Sequence, residues 1–174
     1  AIDYEIVKLL NKRAECALRL KRLKPAVAAP EREQEVLDHV RGYSNHAIEP
    51  DFVEDLYRMI IEESRLLQER GLGLIGFQGE HGAYSEVAAY AHRADLVPIP
   101  CPTFHEVFEE VRTGQLDWGI VPVENSLEGA ETEVNDLLVA TDLKNDGEER
   151  IPIHNCLLPL PHQANDVDVV RAFE

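Results

Sequence analysis

Ile2, Ile6, Leu9, Leu10, Ala17 and Leu20 recur at spacings of three and four residues, the pattern of one long amphipathic helix. Pro25 ends it, and a loop over Ala26–Ala29 follows. A shorter helix opens at Pro30-Glu31, where a fixed φ and an acid suit the first turn. It buries Val36, Leu37 and Val40 and stops at Gly42. A third opens after Pro50-Asp51, buries Val53, Leu56, Tyr57, Ile60, Ile61 and Leu67, and stops at Gly71-Leu72-Gly73.

From Leu72 the period changes. The pattern predicts strands over Leu72–Phe77, Leu96–Pro100, Asp117–Val123 and Ile151–Leu158, alternating with helices over Tyr84–His92, Phe104–Arg112 and Glu131–Ala140. Such alternation implies a mainly parallel sheet with ligands near the carboxyl ends of its strands. The expected fold class is therefore an all-α three-helix domain over 1–70, a linker at 71–73, and an α/β domain over 74–174. Three helices make a thin core, and the first spans roughly 34 Å at 1.5 Å per residue. A helix that long needs another chain on its apolar face, so an intertwined homodimer through the helical domain is expected. The opening AIDYEIVKLL enters a helix partway, which places the expected N-terminus upstream.

Composition narrows the partners. The chain has 174 residues, 44% hydrophobic and 29% charged, enough apolar material for a core. No apolar run reaches the roughly 18 residues of a membrane span, and the start lacks a secretory signal pattern. Cys16, Cys101 and Cys156 stand far apart with no C-x-x-C pair, which suits a reduced, cytoplasmic setting. The seven histidines form no H-x-x-x-H or H-x-H pair, so no metal site is expected. A net charge of −16 argues against nucleic acid or an anionic membrane as partner. Yet residues 1–30 carry seven cations against three acids, a local excess that needs a reason.

Arg13 and Lys24, eleven residues apart, project within about 20° of each other and about 16 Å apart along the helix. They share the side of Ile6, Ala17 and Leu20. On the third helix Ser64 and Gln68 continue the row of Ile60 at i+4 and i+8, and Arg32-Glu33 opens the second helix. Two readings stand: cations that snorkel to helix ends beside a frayed terminus, or a polar pocket with two separated cations for a dianion. Buried cations would require such a ligand.

The run IDYEIVKLLNKRAECALRLKRLK, then PEREQEVL, then IIEESRLLQ, resembles the all-helical chorismate mutases over residues 2–70. The resemblance implies a unimolecular rearrangement of chorismate to prephenate, without metal, nucleophile or cofactor. It gives Arg13 to a substrate carboxylate, Lys24 to the ether oxygen and a carboxylate, and Glu33, beside Arg32, to the substrate hydroxyl. Ser64 and Gln68 match the third-helix pair, with Gln68 at the ether oxygen. Two Arg, one Lys and one amide around a growing negative charge suit that reaction. Three departures accompany the match. Ala29 stands where the family often has Asp, the loop before Arg32 is shorter, and the family's further arginine, donated to the partner's site, would precede residue 1. Lys21 is a second candidate for the lysine role.

In the second half, Glu124-Asn125-Ser126 follows a strand, with Gly129 before the next helix. Asn and Ser also make turns and cap helices. Together GFQGEHGAYSE and TFHEVFEEVRTGQLDWGIVPVENS resemble the prephenate dehydratases over about residues 74–163. That resemblance implies a periplasmic-binding-protein-like lobe, incomplete here, with a cleft where prephenate loses water and carbon dioxide. Asn125 and Ser126 would bind the substrate, Glu124 and Gly129 would shape the turn, and Tyr84 and Ser85 would line the wall. The family's Thr-Arg motif, whose Thr protonates the leaving hydroxyl, is expected downstream, because Thr103, Thr113, Thr132 and Thr141 are not followed by Arg. Dehydration is therefore not expected from these residues alone. Arogenate remains an alternative substrate, and a non-catalytic dimerisation and binding module an alternative role. A nucleotide loop would need G-x-G-x-x-G or G-x-x-x-x-G-K-[ST], and GFQGEHG has neither.

Overall fold

A computed structural model describes residues 1–23, 30–44, 47–126 and 129–153. Three helices come first: α1 (Ile2–Leu23), α2 (Pro30–Tyr43) and α3 (Pro50–Glu69). Then follow β1 (Leu74–Gln78), α4 (Tyr84–His92), β2 (Val97–Cys101), α5 (Phe104–Arg112) and β3 (Trp118–Ile120). A hairpin of β4 (Glu124–Asn125) and β5 (Gly129–Ala130) leads into α6 (Thr132–Ala140). Local chemistry sets several boundaries. Pro50 sits in the first turn of α3, and Thr103 caps α5 by accepting from the Glu106 N–H at 3.2 Å.

The sheet is parallel, in the order β2-β1-β3. Leu74 pairs with Val97 and Ile75 with Trp118, so β1 lies in the middle and its first four residues are buried. Side chains alternate between faces. Leu74, Ile99 and Cys101 meet Val107 and Leu116 under α5, with Leu18 of α1 in the same cluster. Ile75 packs on the other face with Ala89 of α4 and Leu96. Gly76 points into the α5 side, where a Cβ would come within 2.3 Å of Leu116 Cδ1, so any larger residue would force that leucine to move.

Four expectations change. The stripe on α1 is not buried as a whole: Ile2, Ile6 and Leu9 are 78%, 51% and 63% exposed, Leu20 is exposed, and the one buried residue is Leu18. Residues 1–12 are all exposed, and α1 is sheltered only from Arg13 onward, where its side chains meet α3 and the α/β part. Leu56 is likewise exposed. Strand β3 is shorter than Asp117–Val123, because Pro122 has no N–H for the ladder and Asp117 turns its carboxylate to the Leu74 N–H, 2.8 Å away. Residues 151–153 form no strand, and the rest of the expected Ile151–Leu158 strand lies outside the described residues, as do Pro25 and the Ala26–Ala29 loop.

Leu18 carries the packing of α1 onto the sheet, so Leu18→Ala should cost about 2–4 kcal/mol through lost contacts and a residual cavity. Urea unfolding should show a lower midpoint at unchanged slope. A loss under about 0.5 kcal/mol would mean that α1 does not share this core.

Candidate functional site

The helical cluster is built where α1 and α3 run side by side in the same direction, residue i of one facing residue i+51 of the other. Arg13 Nη1 donates to Ser64 Oγ at 2.5 Å and to the Ile60 carbonyl at 3.4 Å, and Ser64 Oγ donates to that same carbonyl at 2.7 Å. One turn on, Gln68 Nε2 donates to the Ala17 carbonyl at 2.6 Å. Both helices contribute i,i+4 pairs, which keeps the two rungs on one face. Arg13, Ser64 and Gln68 are thus brought together, all half-buried. Arg13 has no carboxylate partner among the described residues, so its charge is fixed by neutral oxygens only.

The other predicted residues divide. Glu33 reaches the cluster's edge through Arg65, whose Nε donates to Oε1 at 3.0 Å and whose Nη2 donates to Oε2. That carboxylate raises the Arg65 pKa, first through the side-chain hydrogen bond. Arg32 does not join. It is exposed and pairs with Glu35 at 2.7 Å, one turn along its own helix. Lys24 lies outside the described residues. Lys21 donates to the Gln68 carbonyl and so holds the last turn of α3. Arg65 was not singled out from sequence, because it follows Ser64 directly and points about 100° away from the Ile60-Ser64-Gln68 row. The only hint was a lone cation in an acidic stretch.

A cleft of about 140 Å³ lies below Gln68, lined by Leu18, Lys21, Arg22, Gly71, Leu72 and Leu74. Its cations are engaged, Lys21 as above and Arg22 with Asp117 Oδ2 at 2.5 Å.

In the α/β part the parallel strands put their carboxyl ends along one edge. The loop after β1 emerges there, turning at Gly79 (φ 119°) and Gly82 (φ 92°), conformations open chiefly to glycine. It delivers Tyr84, which is about half exposed, and Ser85, which is less so, to the start of α4. The chain leaving β3 at the same edge runs into the hairpin. There Glu124 and Asn125 pair with Ala130 and Gly129, Gly129 takes φ 81°, and Glu124, Asn125, Ser126 and Gly129 are exposed. Cys101, at the end of β2, is no nucleophile: burial pushes its thiol up to about 11. No group of three or more His, Cys, Asp or Glu suited to a metal occurs among the described residues.

Residues 75–174 match the family model of prephenate dehydratase, and residues 1–69 match that of chorismate mutase type II. Relatives named bifunctional chorismate mutase/prephenate dehydratase align along nearly the whole chain. The one from Neisseria gonorrhoeae is 38% identical over 160 residues, which cover 90% of this chain and 44% of the relative. Those from Escherichia coli and Pseudomonas aeruginosa are 33% and 32% identical, over 91% of this chain and 46% of each relative. The chain therefore spans about half the length of the relatives it matches.

The Arg13–Ser64 contact should appear as coupling. In a double-mutant cycle of Arg13→Met and Ser64→Ala, read by chemical denaturation, the two losses should fall short of additivity by about 0.5–1.5 kcal/mol. Additivity within about 0.3 kcal/mol would show that the two side chains make no net contact.

Proposed function

The chain belongs to the prephenate dehydratase family, and we propose that it belongs to an enzyme of two consecutive steps in phenylalanine biosynthesis. The helical domain, 1–70, rearranges chorismate to prephenate. The α/β domain, 74–174, forms part of the machinery that converts prephenate to phenylpyruvate, water and carbon dioxide. The observation that carries this reading is the order of the two family matches on one chain, since the product of the first reaction is the substrate of the second.

The rearrangement breaks one C–O bond and forms one C–C bond within a single molecule, so the protein must hold the reactive conformer and stabilise charge on the ether oxygen. Arg13 binds a substrate carboxylate, its guanidinium steadied by Ser64 and the Ile60 carbonyl. Gln68 gives one amide hydrogen to Ala17 and keeps a second for the ether oxygen. Glu33 receives the substrate hydroxyl while Arg65 fixes its carboxylate, and Lys24 serves the ether oxygen and a carboxylate. No cofactor takes part. The uncovered apolar half of α1 supports a homodimer in which a second copy covers Ile2, Ile6 and Leu9.

In the dehydration, loss of the carboxylate as carbon dioxide sends its electron pair into the ring as hydroxide leaves, aromatising the product. Asn125 and Ser126 bind prephenate at the carboxyl edge of the sheet, Glu124 and Gly129 set the hairpin, and Tyr84 and Ser85 form the facing wall. The proton for the leaving hydroxyl comes from a group beyond these residues. The reading places the enzyme in the cytoplasm, acting on chorismate and prephenate and on neither nucleic acid nor membranes. No helix of the described residues is long and apolar enough to cross a membrane.

Arg13→Ala should lower mutase kcat/KM at least 100-fold, about 2.7 kcal/mol, with circular dichroism unchanged. Full activity in a folded variant would remove Arg13 from the site. In sedimentation equilibrium the protein should be dimeric, and Ile6→Asp should shift it toward monomer. An unshifted equilibrium would put the dimer contact elsewhere.

A further inference from the structure

His81 stands at the apex of the glycine loop, and both of its ring nitrogens face carboxylates. Nε2 is 2.8 Å from Glu15 Oε1 on α1, and Nδ1 is 2.6 Å from Glu86 Oε1 in the first turn of α4. A neutral imidazole donates from one nitrogen only, and an ionised carboxylate has no proton to give. Both contacts are met together only by the imidazolium. The second oxygen of Glu86 accepts from the Gly82 N–H at 2.7 Å, so one carboxylate fastens both the ring and the loop backbone. From β1 the ring meets Phe77 edge-on, with centroids 6.0 Å apart. The charged groups facing it are Glu15 from α1 and Glu86 from α4, while its neighbour Glu80 is exposed. Glu15 and Glu86 are each only 14% exposed, against 41% for the ring.

Glu15 lies two residues after Arg13 and so points about 200° around α1, nearly the opposite side. One helix therefore holds a candidate mutase cation against α3 and, on its other side, the loop that delivers Tyr84 and Ser85. The ends of that loop are pinned by the backbone, Gly79 N–H to the Cys101 carbonyl at 3.0 Å and Ala83 N–H to the Glu80 carbonyl at 3.1 Å. The apex is tied to α1 through this ring.

We propose that His81 is a positioning residue for the dehydratase cleft, clamped as an imidazolium between Glu15 and Glu86 so that the Tyr84-Ser85 wall is fixed to the helix that carries Arg13. The proposal rests on the dehydratase reading of this loop, and it gives the loop a pH dependence of definite sign. Burial opposes the ring's charge and the two carboxylates outweigh it, so its pKa is raised above the ordinary 6.5. The tie is complete below about 6.5, the unfolded value, and is lost as pH rises through the higher folded value.

The test uses the full-length enzyme with isotope-labelled histidine. His81 should titrate above the ordinary value, and Glu15→Gln should lower its pKa. At pH 6 Glu15→Gln should raise the dehydratase KM for prephenate by about two- to fivefold, the range of a half-exposed pair, with kcat within about twofold. The KM difference should vanish once pH passes the measured His81 pKa, where the unmutated enzyme has also lost the charge, and mutase kcat/KM should stay within about twofold throughout. His81→Gln at pH 6 should match Glu15→Gln, and the double variant should add nothing further. A His81 pKa indifferent to Glu15→Gln, or an equal KM shift below and above the measured His81 pKa, overturns the clamp alone. Absence of any prephenate turnover by the unmutated full-length enzyme overturns the dehydratase reading, and this proposal with it.

Discussion

The helical segment and the parallel sheet are held together by a short stretch of α1, in which Leu18 enters the core under α5 while Arg19 and Arg22 reach acids on the α/β side. Arg19 donates to Glu110 Oε1 at 3.0 Å and to the Pro100 carbonyl at 2.9 Å, and Arg22 binds Asp117. Glu110 is largely sheltered, and burial drives its pKa upward even beside Arg19. Its Oε2 is buried without a hydrogen-bond partner among the described residues. A carboxylate in that position depends on its arginine, and losing one partner of such a pair costs more than the pair contributes. The same helix meets α3 through Arg13, Ala17 and Lys21.

The positive charge at the start of the chain has two uses rather than one. The sequence points to a dianionic ligand as the reason for seven cations in thirty residues. Arg13 keeps that role open, since it faces only a hydroxyl and a carbonyl. Arg19 and Arg22, however, are committed to the acidic α/β part, and Lys21 to the end of α3. The cationic helix is thus also the counter-charge that lets an acidic lobe lie against it.

Element order and type from α1 to β3, and α6, were legible, because the helical period breaks at Leu72 and Pro30 and Pro50 mark helix starts. The two-residue strands β4 and β5 are too short to leave a pattern. Of the helical cluster, Arg13, Ser64 and Gln68 could be read from their place on otherwise apolar rows, a pattern that survives folding because both rows face the same seam. Arg32 misled, since its adjacency to Glu33 says nothing of direction: neighbours on a helix diverge by about 100°. Leu18 was missed because the stripe was drawn through Ala17 and Leu20. A helix with different neighbours along its length has no single buried face, and a period alone cannot reveal that. Glu15 and His81, 66 residues apart, carried no local signal at all.

Because α1 completes the core of the sheet as well as its own bundle, the two family segments are not interchangeable parts. Replacing Arg19 would leave Glu110 with an uncompensated buried charge, and replacing Arg22 would take the ion pair from Asp117. Substitutions on that face must therefore change in step with Glu110 and Asp117. The structural unit in this chain is the helix together with the acids that receive it.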